Sequence, residues 1–336
     1  MLENKETGDK KNMKIYIISS THAATGGTEL LQQLCYQMRK MSVNALMYYT
    51  EKYDGSNVKN KFELMYNNPV SDIIEDDTTI IVPETEIDFI FKLKTYSGNI
   101  IIWWLSVDNY YGFQKSGCGF LRKLYRTIKH NRNKILFKKC IHCVQSQYAY
   151  EYLHDKISVH DSKIHYLSDY INDAYLNYTF INKCDKEDII LYNPKKGYSF
   201  TKKLINSVKE YTWVPLEGMS NSQMIEAMSK AKVYVDFGNH PGKDRIPRET
   251  AFFGCCIITG LRGAAFNSTD IPILAKYKIE DKIENIEIIH EIIKTCISNY
   301  DKCINDFSEY RQMIINEKRK FIDDVAALFV LDSKII

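Results

Sequence analysis

Short apolar or alternating runs recur along the first half of the chain at Lys14–Ser19, Val43–Thr50, Thr79–Pro83, Asn99–Val107, Ile141–Gln145 and Lys163–Leu167, and each predicts a strand. Between them the period changes. In Gly27–Met41, residues Leu30, Leu31, Leu34, Cys35 and Met38 fall at helical spacing, and in Gly119–Lys129 residues Phe120, Leu121, Leu124, Tyr125 and Ile128 do the same. Ser146–Asp155 also reads as a helix. The second half repeats this grammar, with strands at Asp188–Tyr192, Thr212–Leu216, Lys232–Phe237 and Cys256–Thr259 and helices at Thr201–Glu210, Ser222–Lys230 and Ile246–Gly254. A long helical tail follows from Ile286 to Phe329. The run Asn99–Val107 is continuously apolar and belongs in the middle of a parallel sheet. Strands alternating with helices predict an α/β chain with two Rossmann-like domains.

The punctuation supplies the boundaries. Residues 1–12 form a polar, disordered start, and residues 13–170 form the first domain. Ser168–Lys186 is polar and aperiodic, so the linker is placed at 171–186. Residues 187–315 form the second domain, and the helix in 316–336 is expected to pack back on the first. A chain of 336 residues with 45% hydrophobic and 26% charged positions is long enough for two such cores.

Charge and cysteine usage narrow the class. The net charge of +3 gives no reason to expect nucleic acid, but its distribution is uneven. No Asp or Glu occurs from Asn109 to Tyr150, while Arg122, Lys123, Arg126 and Lys129 lie largely between the apolar positions of their predicted helix. The basic segment 119–139 can therefore lie on an anionic membrane surface or form a solvated face over the core. Nine cysteines without regular spacing fit a reduced cytoplasmic protein. MLENKETGDKKN lacks the apolar core of a signal peptide, and no apolar run is long enough to span a bilayer.

Candidate chemistry concentrates at strand ends. After the first strand, Gly26-Gly27 opens a helix N-terminus suited to an anionic group, without the G-x-G-x-x-G spacing of dinucleotide sites. After the fourth, Asp108 can act as a base, accept a sugar hydroxyl or turn the chain. In the second half, Lys195-Lys196-Gly197, Met219-Ser220 and Gly238–Glu249 all follow strands and so converge on one crevice. Arg245 and Arg248 can clamp phosphate oxygens and Glu249 can accept two ribose hydroxyls. A capped helix start, with Asp244 as N-cap, Pro247 in the first turn and Glu249 complementing the dipole, explains the same residues without a ligand. Gly238–Asp244 has the wrong spacing for a phosphate loop and carries Asp where Ser or Thr must stand.

Gly26–Glu29, Lys195–Gly197 and Pro241–Gly254, set in two α/β halves, resemble a GT-B glycosyltransferase, nearest to the nucleotide-sugar-using family 4 type. The resemblance implies two Rossmann-like domains facing each other across a cleft. It also implies a donor held by Glu249 at the ribose, by Lys196 with a nearby basic residue at the pyrophosphate, and by Gly26 and Gly27 from the opposite side. Pro241 stands where many such enzymes carry a second Glu, so His240 or Asn239 is expected to contact the sugar. The implied activity is sugar transfer from a nucleoside diphosphate sugar to a glycan, lipid-linked or protein acceptor in surface polysaccharide or glycolipid assembly, without metal or other cofactor and with retention. Lys195, Lys196 and Arg245 would stabilise the leaving diphosphate. Inversion would instead need a base, for which His22 and Asp108 are the candidates. An inactive nucleotide-sugar-binding scaffold and a nucleotide-sugar epimerase are the alternatives.

Overall fold

A computed structural model describes residues 14–20, 24–51, 61–111, 130–178 and 186–331, which form two parallel sheets with helices packed on their faces. The first sheet contains β1 (Ile15–Ser19), β2 (Ala45–Tyr49), β3 (Thr79–Pro83), β4 (Asn99–Trp104), β5 (Ile141–Val144) and β6 (Ile164–Tyr166), in the order β2-β1-β3-β4-β5-β6. Both faces are covered, which is why its strands read as apolar runs. Ile15, Ile17, Ile81, Ile101 and Trp103 pack on Leu30, Leu31, Leu34 and Met38 of α1 (Gly26–Lys40), while Tyr16, Ile18, Ile80, Ile102 and Trp104 enter the core on the other side.

The second sheet contains β7 (Glu187–Tyr192), β8 (Thr212–Pro215), β9 (Ala231–Asp236) and β10 (Cys256–Thr259), in the order β10-β9-β7-β8. Around it lie α3 (Tyr198–Ser207), α4 (Asn221–Lys230), α5 (Arg245–Phe252) and α6 (Ile286–Ser298); α2 (Gln147–Glu151) precedes them in the first half. The chain steps outward from β1 to β2 and then to β3 on the other side of β1. It does the same from β7 to β8 and then β9. Each sheet therefore has a switch point, β1/β3 in one and β7/β9 in the other, where the strands' carboxyl ends leave a crevice for a ligand.

The C-terminal tail is not one continuous helix. α6 ends at Asn299, two short turns follow, and α7 (Ser308–Ala326) runs back to the first sheet. There Phe321, Val325, Leu328 and Phe329 join the core cluster of β1 and α1, and the Ser168 N–H donates to Asp324 at 2.9 Å. Two passages of chain thus tie the sheets together. The predicted strand Asn99–Val107 stops at Trp104, because Val107–Tyr111 coils into a short helix that carries Asp108. The disordered start, His22 and the part of the basic segment at 119–129 lie outside the described residues. Among the described residues no helix is long and apolar enough to cross a membrane.

Candidate active site between the two sheets

The two switch points face each other across a cleft of about 1140 Å³. Its first wall comes from the loop after β1, the start of α1 and Pro83–Glu86 after β3. The second comes from Asn193, Lys195 and Lys196 after β7 and from Asp236 and Pro241–Pro247 around the start of α5. Close approach is built into the glycines. A Cβ on Gly26 would stand 3.3 Å from Arg245 Cδ, and one on Gly242 would stand 2.3 Å from the Leu105 carbonyl oxygen, so a side chain at 242 would force the walls apart.

Arg245 is the central cation. It begins α5, its Nη1 donates to Glu29 Oε2 in the first turn of α1, and its buried Nε and Nη2 have no hydrogen-bond partner. Arg245 lines the cleft, and buried donors of this kind call for acceptors. Glu29 is itself buried and also accepts from Asn172 and, at 3.4 Å, from Tyr66. Glu249 lies one turn after Arg245 on α5 and lines the same cleft. Burial pushes its carboxyl up to about 7 despite the pull of Arg245 and Arg248, so it titrates near neutrality. Lys196 pairs with Asp244 at 2.5 Å, and Lys195 is exposed at the rim. Asp244 is the N-cap residue of α5 by position, but its side chain makes no cap bond and is turned to Lys196. The cap reading of that stretch therefore gives way to a cleft reading.

Three expected site residues stand elsewhere. Arg248 is fully buried, its guanidinium shared between Asp169 and Glu317, the latter at 2.8 Å. Lys243 joins the same cluster at 2.6 Å from Glu317, so two cations and two carboxylates neutralise one another where both domains and α7 meet. Although burial opposes ionisation, Arg248 and Lys243 hold the Asp169 carboxyl below the usual range. Arg248 therefore ties the two domains together through Asp169 and Glu317. Asp108 accepts from Tyr148 Oη at 2.8 Å and from Asn239 Nδ2 at 2.6 Å. Each of its oxygens thus accepts one hydrogen bond, and the bond from Asn239 joins the two halves of the chain. His240 is completely buried beneath the cleft floor.

Other groups were not anticipated. Glu84, at the end of β3, accepts the Leu105 N–H at 2.8 Å, and burial raises its carboxyl to about 8. Glu29 sits inside the Gly26–Glu29 motif, which was the available signal. Asp169 and Glu317 carry no local pattern at all.

Comparison with solved structures decides the architecture. Sucrose-phosphate synthase from Thermosynechococcus elongatus superposes with a TM-score of 0.63 at 10% identity, covering 94% of this chain and 98% of that one. The fold is GT-B. Anabaena HepE in complex with UDP gives 0.58 at 10% identity over 93% and 97% of the chains. WaaG, a glycosyltransferase of lipopolysaccharide biosynthesis, gives 0.53 at 10% identity over 93% and 99%. Neither a family model nor a curated protein matches the sequence. The GT-B frame gives the cleft its natural reading, as the space between two Rossmann-like domains whose switch points face one another.

Proposed function

We propose that this chain is a glycosyltransferase that moves a sugar from a nucleoside diphosphate sugar to an acceptor hydroxyl held in the cleft. The observation that carries the reading is Arg245, whose Nε and Nη2 are buried, unpartnered and placed on the wall opposite Gly26. A diphosphate supplies acceptors in the forked geometry that a guanidinium matches. Lys195 and Lys196 lie on the neighbouring loop and add charge to the same anion. Glu249 accepts the ribose hydroxyls as the ionised carboxylate. The GT-B fold and the UDP bound in HepE support the same class of donor.

In the transfer, the bond from the anomeric carbon to the diphosphate oxygen breaks as the bond to the acceptor oxygen forms. The cations stabilise the charge that develops on the leaving group. A departing phosphate oxygen can take the acceptor's proton, which gives retention without a protein base. Thr85, Glu86 and Asn109 line the first-domain side of the cleft, where the acceptor would sit. A glycan on a lipid at an anionic membrane suits the basic segment 119–139, in keeping with surface polysaccharide or glycolipid assembly.

The test is a thermal-shift panel of UDP, GDP, ADP and CMP with their sugars, followed by turnover of the stabilising donor. One nucleoside diphosphate is expected to raise the melting temperature by mass action, and its sugar to be consumed with release of that diphosphate. Turnover is expected to disappear in Arg245→Gln and Glu249→Gln. Native turnover in both variants would refute the site.

A further inference from the structure

Asp236, His240 and Asp244 follow one another at intervals of four residues from the end of β9 to the start of α5. One ring nitrogen of His240 and one oxygen from each carboxylate lie within 4.8 Å of one another. We propose that these three side chains bind one divalent cation at the floor of the cleft.

The imidazole carries the argument. His240 is completely buried, yet neither Nδ1 nor Nε2 has a hydrogen-bond partner. A buried polar group left unpaired is destabilising, so a site of this kind calls for an occupant. Nδ1 lies 3.3 Å from Asp244 Oδ2 and Nε2 lies 3.7 Å from Asp236 Oδ1. Ligand atoms around an ion at about 2.1 Å stand roughly 3–4 Å apart, the range of both gaps, and one ring nitrogen with one oxygen of each carboxylate falls within 4.8 Å.

The surroundings hold the ligands in place. The His240 backbone is pinned by the Ala264 N–H at 2.8 Å, and a Cβ on Gly263 would stand 2.1 Å from the His240 carbonyl oxygen. Asp236 is oriented by the Tyr234 hydroxyl at 2.8 Å and the Gly238 N–H at 2.9 Å. Such outer contacts fix a ligating carboxylate without exhausting its lone pairs. Asp244 is turned away from capping its own helix. One nitrogen and two carboxylate oxygens form a borderline-hard set that suits Mn²⁺ or Zn²⁺. Asp236 and Asp244 also line the cleft.

Lys196 already places an ammonium 2.5 Å from Asp244 Oδ2. It competes with the ion for that oxygen, and the site therefore has a built-in monovalent occupant. This inference departs from the metal-free expectation drawn from the sequence, and it does not depend on the nucleotide reading.

The experiment is a Mn²⁺ titration of the chelator-stripped full chain, read as loss of the free-ion paramagnetic resonance signal. The native chain is expected to bind one Mn²⁺ saturably. Asp244→Asn and His240→Gln should each weaken binding at least tenfold, while Lys196→Met should tighten it. Asp244→Asn keeps the shape of the side chain and a carbonyl acceptor for Lys196, and circular dichroism checks that the variant is folded. Absence of saturable binding, or native affinity in Asp244→Asn, overturns the site. Unchanged affinity in Lys196→Met overturns the competition on which it is built. A flat titration with a doubly protonated His240 ring, read by nitrogen-15 NMR, would identify an imidazolium between two carboxylates instead.

Discussion

Glu29→Gln separates stability from ligand binding more sharply than any other single change in the cleft. The substitution keeps the shape of a 2%-exposed side chain and an acceptor for Asn172, but it removes the charge opposite Arg245. Breaking a buried pair by removing one partner costs about 3–5 kcal/mol. Arg245 retains 15% side-chain exposure, and water can reach it through the cleft, which puts the loss near the lower end. At roughly 2–4 °C per kcal/mol for a chain somewhat shorter than this one, the ligand-free melting temperature should fall on the order of 6–10 °C. Binding should move the other way. In the native chain a diphosphate at the unpartnered Nε and Nη2 of Arg245 competes with Glu29 for the guanidinium charge and rests near its carboxylate. Removing one like charge a few ångströms from the phosphates is worth on the order of 1–2 kcal/mol, or about tenfold in Kd. Differential scanning fluorimetry of the ligand-free variant and calorimetric titration with UDP, or with whichever diphosphate stabilises the native chain, measure the two effects. An unchanged melting temperature would remove the ion pair from the stability of the fold. Weaker nucleotide binding would refute competition and show that Glu29 presents Arg245 to the ligand.

What could be read in the sequence follows from how far apart the interacting residues lie. The strands of both sheets were legible because parallel strands covered on both faces leave continuous apolar runs between Gly, Pro and polar turns. The start of α3 was placed three residues late because Gly197 bends the chain in a left-handed conformation, φ 61°, and the helix begins at Tyr198. In the cleft, Lys195, Lys196, Arg245 and Glu249 were legible because strand order alone brings their loops to the switch point. Arg248 was not. It stands beside Glu249 in the chain, but its partners Asp169 and Glu317 are 79 and 69 residues away and carry no local pattern. The tie from Asp108 to Asn239, across 131 residues, leaves no local pattern either. Local pattern locates a ligand-facing loop, whereas the partner that withdraws a side chain from that loop is a property of the tertiary fold.

Two further outcomes test this division of labour. Arg248→Met should cost about 3–5 kcal/mol in urea unfolding, because Asp169 and Glu317 lose their buried counter-charge. The folded variant should bind nucleotide with native affinity, and a tenfold loss would return Arg248 to the donor site. Glu249 makes the third case through its proton. Its folded pKa of about 7 exceeds the ordinary 4.5, so the native state prefers the neutral carboxyl. The stability it contributes is fully present below pH 4.5 and is lost as pH rises through 7, about 3 kcal/mol in all. Glu249→Gln, which cannot ionise, should flatten the urea-stability profile across that window. Ribose hydroxyls donate to the ionised form, so binding near pH 7 should expel a fraction of a proton. Calorimetric titration in two buffers of different ionisation enthalpy reads that release. If Glu249→Gln releases as much as the native chain, Glu249 does not hold the ribose.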